Sequence, residues 1–245
     1  MSTALGWALG GALAGLIAGS FLATLIIRWP RGEGLGGRSH CDACQRKLSI
    51  VDLIPVVSFV LNRGRCRTCG AAIDHRHLAI ELTAMLIGAI ALFVAPGVTG
   101  AGGALFGWLL LTLAALDVEH FWLPDTLTGT LAVTGLGFAF LEADLEARLI
   151  GGAAGFASLA LIAWGYRTLR NRDGMGAGDP KLFGAIGLWL GWQPLPFVLL
   201  GASLVGLSAV LAMRLRGRAV EAATKLPLGA LLAVAAFPVW VILRG

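Results

Sequence analysis

Long uninterrupted apolar stretches organise this chain, at residues 6–27, 78–95, 102–116, 126–141, 149–166, 182–192, 195–213 and 227–243. Several approach the ~20 residues that carry a helix across a bilayer, so the pattern predicts an all-α polytopic membrane protein with about eight transmembrane helices. The stretch 182–192 is short and stops at Gln193-Pro194. Tilt, burial among neighbouring helices, or a few helical residues beyond the apolar core would each accommodate it.

Composition and charge placement turn this pattern into a topology. Hydrophobic residues make up 57% of the 245 and charged residues 13%, against roughly 45–50% and 25% in soluble domains, and the mean hydropathy is +0.82. No Lys or Arg precedes Arg28, so the first stretch lacks the positive end of a signal peptide. It reads as a retained helix, residues 1–27, with its N-terminus on the periplasmic side. Segments 28–77, 167–181 and 214–225 then all face the cytoplasm, and they hold 17 of the 19 Lys and Arg. Three loops obeying one alternation of eight spans set the orientation by the positive-inside rule. The net charge of +5 is accordingly a topology signal. Basic charge spread over loops, with no large soluble domain, argues against a nucleic-acid partner and leaves membrane lipid as the surrounding phase.

Segment 28–77 breaks the apolar texture. It is rich in Gly, Arg and turn formers, and it is too short to bury a core that would hold it alone. All four cysteines of the chain lie in it, as Cys41-Asp-Ala-Cys44 and Cys66-Arg-Thr-Cys69, with 21 residues between the pairs. Two such knuckles can set four thiolates tetrahedrally about one structural zinc ion, and a reducing cytoplasm disfavours disulfides. A redox CxxC pair and uninvolved free thiols are the alternatives. His40, His75 and His77 lie nearby, as surface or supporting groups once four thiolates are available. The expected organisation is a first helix at 1–27, a cytoplasmic zinc module at 28–77 and a transmembrane catalytic domain at 78–245.

An acid inside a bilayer costs about 2.5–3.5 kcal/mol at a helix centre, so each one needs a reason. Asp117 ends the third stretch and Asp179 precedes the sixth, 62 residues later. On the topology above both lie at the cytoplasmic edge, although only Lys and Arg determined that topology. Two carboxylates held close together cannot both ionise cheaply. One keeps a proton and polarises a carbonyl while its partner activates water, which is aspartic-protease chemistry, and such a pair titrates as a unit. Gly176 and Gly178 would let a substrate backbone come near. The bland alternatives are an N-cap role for Asp179 ahead of Pro180, a contact of Asp117 with backbone or His120, and an N-cap role for Asp125 at the fourth helix. Lys181 either snorkels to the interface or pairs with a carboxylate.

Across nearly its whole length the chain resembles the bacterial type IV prepilin peptidases. The residues that carry the resemblance are Gly15–Pro30 with its GSF and Arg-x-Pro ending, the segment from Cys41 to Cys69, Glu81 on the next helix, Asp117 with Leu123-Pro-Asp125, and Met175-Gly-Ala-Gly-Asp-Pro-Lys-Leu182. The last contains the Gly-x-Gly-Asp core that names this protease class. Two positions depart from the family pattern: His75-Arg-His77 stands where Tyr-Pro is usual, and Pro180 follows the second Asp where an aliphatic residue is commoner. The resemblance implies cleavage of leader peptides from type IV prepilins or type II secretion pseudopilins, in the inner membrane, with Asp117 and Asp179 as catalytic residues. It also implies N-methylation of the new N-terminus from S-adenosylmethionine, for which the sequence offers no recognisable motif. A proton- or ion-coupled transporter is the competing class, and it requires acids near mid-membrane on broken helices. The chain contains no Gly-x-Ser-x-Gly and no His-Glu-x-x-His for a serine or zinc protease.

Overall fold

The computed structural model describes residues 2–34, 36, 39–142, 144–172, 174–217 and 225–245. Among them the regular elements are helical: α1 (Ser2–Arg28), α2 (Val57–Leu61), α3 (His75–Val94), α4 (Val98–His120), α5 (Asp125–Leu141), α6 (Leu145–Arg170), α7 (Gly178–Leu190), α8 (Leu195–Leu215) and α9 (Leu228–Arg244). All but α2 fall on the eight apolar stretches. Five are long and apolar enough to cross a membrane, namely α1, α3, α4, α6 and α8, while α5 and α9 are shorter apolar helices. Arg38, and most of the expected cytoplasmic loop 214–225, lie outside the described residues. The chain divides into two compact units, Met1–Leu111 and Thr112–Gly245, and α4 runs from one into the other.

In the first unit α1 and α3 meet backbone to backbone. A Cβ placed on Gly11 would stand 2.1 Å from the Gly88 carbonyl oxygen, and one on Gly15 would stand 2.3 Å from that of Ala84. Glycine at every fourth residue, 11, 15 and 19, gives α1 a flat face against which α3 lies. Such small-residue faces let helices associate in lipid, where burial of apolar surface supplies no drive. Leu5, Leu9, Leu13, Ile17 and Phe21 are exposed on α1 as a complementary stripe for lipid. Trp108 of α4 donates its indole N–H to the Ala84 carbonyl at 2.9 Å. Asp74 caps the start of α3 by accepting the Arg76 N–H at 2.9 Å.

The short stretch 182–192 becomes α7, the buried centre of the second unit. It starts at Gly178 and ends against Gly191, whose positive φ (80°) favours glycine. Its 13 residues span about 20 Å, well under the ~30 Å of a hydrocarbon core. Both burial among neighbours and extension beyond the apolar core therefore apply. A Cβ on Gly187 would meet the Gly151 carbonyl of α6 at 2.1 Å. On the other side Trp189 donates to the Leu131 carbonyl of α5 at 2.8 Å and stacks on Phe138. This packing carries the N-terminal end of α7, and with it Asp179, into the protein interior.

Candidate active site and metal centre

Asp117 lies in the last turn of α4 and Asp179 is the second residue of α7, and both are about 95% buried, with exposures of 4% and 5%. Oδ2 of Asp117 accepts the Ala230 N–H at 2.8 Å and lies close to Gly229, where an added Cβ would stand 3.0 Å from it. Oδ2 of Asp179 accepts the Gly176 N–H at 3.0 Å, and this carboxylate feels the charge of Asp117. The two acids thus lie within electrostatic reach of each other, close to the start of α9. The Ala230 amide belongs to the first turn of α9, whose N–H groups have no partner within the helix and are free to bind an acceptor. Leu123 closes the arrangement. A Cβ on Gly178 would lie 2.7 Å from Leu123 Cβ, and one on Gly229 would lie 2.7 Å from Leu123 Cδ1.

Several finer expectations give way to this geometry. Asp179 does not cap α7 in the usual manner, since its carboxylate reaches back three residues to Gly176. Gly178 packs against Leu123 of the same chain. Asp125 is not the N-cap of α5, which is Pro124; it sits in the first turn and receives Lys181 Nζ at 2.6 Å. Lys181 accordingly pairs and does not simply snorkel. His120 lies 3.6 Å from Glu119. Gly229 and Ala230 escaped the sequence reading; the signal available was only a Gly-Ala pair beginning two residues after Pro227, at the start of an apolar helix.

In the first unit the four thiols of Cys41, Cys44, Cys66 and Cys69 come together, with all four Sγ within 4.8 Å of one another. The edge of a tetrahedron with ~2.3 Å zinc–sulfur bonds is about 3.8 Å, and Cys41 and Cys69 Sγ are 3.8 Å apart. The donor set and its spacing fit zinc. The two knuckles repeat one another bond for bond. Cys41 N–H donates to Arg46 and Gln45 N–H returns to the Cys41 carbonyl; Cys66 N–H donates to Ala71 and Gly70 N–H returns to the Cys66 carbonyl. Gln45 (φ 57°) and Gly70 (φ 71°) both make the left-handed turn this loop requires. The Cys66 sulfur faces the N–H groups of Cys69 and Thr68, which draw its thiol down to about 6, toward the thiolate a metal needs.

Asp52, absent from the sequence reading, holds the knuckles together. Its carboxylate accepts Arg46 Nη2 at 2.9 Å from beside the first knuckle and lies 3.5 Å from Arg67 Nε in the second. It also takes the backbone and hydroxyl of Ser49, at 3.0 and 2.8 Å. The Ser49 bonds, then Arg46, keep it below the usual carboxylate range. Glu81 of α3, buried with 7% exposure, accepts the Val56 N–H at 2.8 Å and so joins the module to the helix pair.

Known proteins match along most of the chain. Residues 13–95 match the bacterial peptidase A24 N-terminal domain, and residues 104–211 match the type IV leader peptidase family. The Aeromonas hydrophila protein named prepilin leader peptidase/N-methyltransferase is 42% identical over 172 residues, covering 69% of this chain and 59% of that relative. Proteins of the same name from Pseudomonas aeruginosa and Dichelobacter nodosus are 38% and 34% identical over 203 and 200 residues, with 69% and 68% of their lengths covered. No solved structure matches the chain.

Proposed function

The chain belongs to the type IV leader peptidase family, and on that premise we propose that it cleaves the leader peptide from type IV prepilins or type II secretion pseudopilins through a dyad of Asp117 and Asp179. The observation that carries the reading is the burial of the two carboxylates within electrostatic reach of each other, around Leu123 and the first turn of α9. In such a pair one acid stays protonated and hydrogen-bonds the scissile carbonyl, while the ionised one takes a proton from water as it attacks. Bonds from Gly176 and Ala230 orient the two carboxylates before substrate arrives. Both acids sit near helix ends, unlike the mid-span acids that a transporter requires.

The site acts at the cytoplasmic face of the inner membrane, supported by the concentration of Lys and Arg in three loops of one side. Residues 28–77 form a zinc module in which Cys41, Cys44, Cys66 and Cys69 hold the ion, and residues 78–245 carry the peptidase chemistry. That these relatives are named N-methyltransferases as well as peptidases supports methylation of the exposed N-terminus. S-adenosylmethionine, when bound, supplies that methyl group. The deciding experiment incubates the purified chain, in liposomes, with a prepilin carrying its leader. Release of the leader peptide is expected, and its absence at any enzyme concentration would overturn the reading.

A further inference from the structure

The cysteine module carries apolar side chains on its outside. Ile50, Leu53, Ile54, Val57, Val60 and Leu61 are all exposed, Ile50 by 81% and Leu61 by 70%, and all fall in the short segment 50–61. On α2, Val57, Val60 and Leu61 stand at i, i+3 and i+4 and so share one face. Phe59 turns the other way, against Gly64 and the His75 ring. The one charged residue of the segment, Asp52, is held by Arg46 and Ser49. Contiguous apolar surface of this kind marks a place where something other than water is met.

Its attachment to α3 says what that is. Val56, in the middle of the segment, donates its N–H to Glu81 at 2.8 Å. Glu81 stands six residues into α3, ~9 Å from its start, past Arg76 and His77 and inside the apolar run that begins at Leu78. On the facing helix the residue at this level is Gly19, where an added Cβ would stand 2.8 Å from the Glu81 Cα. Gly19 lies nine residues, ~13 Å, before Arg28, the first cation of the chain. Because helical side chains lean toward the N-terminus, Glu81 holds Val56 level with the start of the apolar run. Both α1 and α3 are long and apolar enough to cross a membrane, so the segment sits where acyl chains meet headgroups. Val56 keeps φ 61° there, an unfavourable conformation for a β-branched residue. Exposed Lys47 precedes the segment and exposed Arg63 and Arg65 follow it. Apolar side chains flanked by cations suit the interface of an anionic bilayer.

We propose that residues 50–61 are a lipid-docking surface. Ile50, Ile54, Val57, Val60 and Leu61 dip into the acyl boundary of the leaflet beside α1 and α3, while Lys47, Arg63 and Arg65 meet the phosphates of anionic lipid. The inference needs only the membrane insertion of α1 and α3 and stands apart from the peptidase reading. A second copy of the chain or a bound peptide would also cover apolar surface, but neither accounts for the depth at which Glu81 holds the segment or for cations on both its flanks.

The test uses the full chain in nanodiscs of phosphatidylethanolamine and phosphatidylglycerol, with the photo-crosslinking residue p-benzoylphenylalanine at position 60 or 61. The control position is Thr68 of the second knuckle, exposed but outside the apolar segment. After irradiation, mass spectrometry reads what each position has captured. Lipid adducts are expected at 60 and 61, at least fivefold above Thr68, with zinc content as in wild type. Adducts chiefly to a second copy or to residues 112–245 would overturn the proposal, and so would equal lipid capture at Thr68. Val60→Glu combined with Leu61→Glu, both at exposed positions, probes the surface without a crosslinker. Protease should cut residues 28–77 of this variant at least fivefold faster than wild type in nanodiscs while zinc content stays equal, and wild-type resistance would overturn the docking. Replacing phosphatidylglycerol by phosphatidylcholine should speed the cutting of wild type at least twofold and leave Lys47→Gln/Arg63→Gln/Arg65→Gln unaffected. Cutting of wild type at the same rate in both lipids would overturn the role given to the cations.

Discussion

The carboxylate of Asp117 accepts a 2.8 Å hydrogen bond from the backbone N–H of Ala230, 113 residues further along the chain. The first turn of α9 is therefore part of the site, although it contributes no acid of its own. A methyl group added at Gly229 would lie 3.0 Å from Asp117 Oδ2 and 2.7 Å from Leu123 Cδ1. Leu123 can turn aside, but the carboxylate must shift off the Ala230 amide. Gly229→Ala is expected to lower leader cleavage at least tenfold, about 1.4 kcal/mol in the barrier, with membrane insertion and zinc content unchanged. Turnover equal to wild type would show that the position of this carboxylate is not critical.

The Asp125–Lys181 pair ties the segment after α4 to the start of α7, but half of the Lys side chain and three quarters of the Asp are exposed. Water and salt screen such a pair, so its coupling should not exceed about 1 kcal/mol. A double-mutant cycle of Asp125→Asn and Lys181→Met, read by thermal unfolding in detergent, measures this directly. The coupling should shrink as salt is raised, and a salt-independent value of several kcal/mol would contradict the exposed geometry.

Four thiols within 4.8 Å of one another staple a module with little core of its own. Purified protein is expected to contain about one zinc per chain, and Cys41→Ser or Cys69→Ser should lower the metal content and open residues 28–77 to protease. Strong chelators should do the same to the wild type. Leader cleavage should survive in part, because the carboxylates stand on other segments. Metal-free protein that resists protease as well as the loaded form would refute a structural zinc.

Asp52 adds an acid-sensitive contribution to the same module. Its folded pKa lies below the unfolded value, owing first to Ser49 and then to Arg46. The stabilisation is therefore complete above the unfolded pKa, near ~3.9, and is lost as pH falls through the folded one. Asp52→Asn should make residues 28–77 more protease-sensitive than wild type by a constant factor from pH 5 to 8. That factor should narrow below about pH 4. A difference that instead grew on acidification would mean the carboxylate is not held by these partners.

The apolar stretches were legible because a lipid solvent imposes long hydrophobic runs, and the four cysteines because a small module without a core needs a staple. The helix-helix contacts were less so. Gly11, Gly15 and Gly19 stand at every fourth position, yet nothing local says which helix they receive, and the partner, Gly88 on α3, follows only from the folded backbone. Asp52 and Gly229 show the same limit at the candidate sites. Each acts through groups brought close by folding, and neither a carboxylate in a basic loop nor a glycine two residues after proline announces its partners. The length of 182–192 was ambiguous for a physical reason too, since a buried helix supported by α5 and α6 need not span the bilayer alone.

The role of the two buried acids turns on the difference between a carboxylate and its amide. Asp117→Asn and Asp179→Asn keep nearly the same shape and an oxygen able to accept the Ala230 or Gly176 N–H. If these residues only tie down backbone amides, each change should cost about 1 kcal/mol of stability and leave turnover nearly intact. A dyad that shares one proton behaves otherwise. Replacing either member removes the group that activates water or the group that holds the shared proton, so each single variant should lose essentially all cleavage while still inserting and binding leader peptide. The double variant should be no worse than either single one, since residues that act as a unit are not additive. Asp125→Asn, whose carboxylate faces Lys181 at the surface, should retain most of its activity. An Asp179→Asn protein with near wild-type turnover would return that residue to backbone support. An inactive Asp125→Asn beside an active Asp117→Asn would move the reacting acid to the other end of the same short segment.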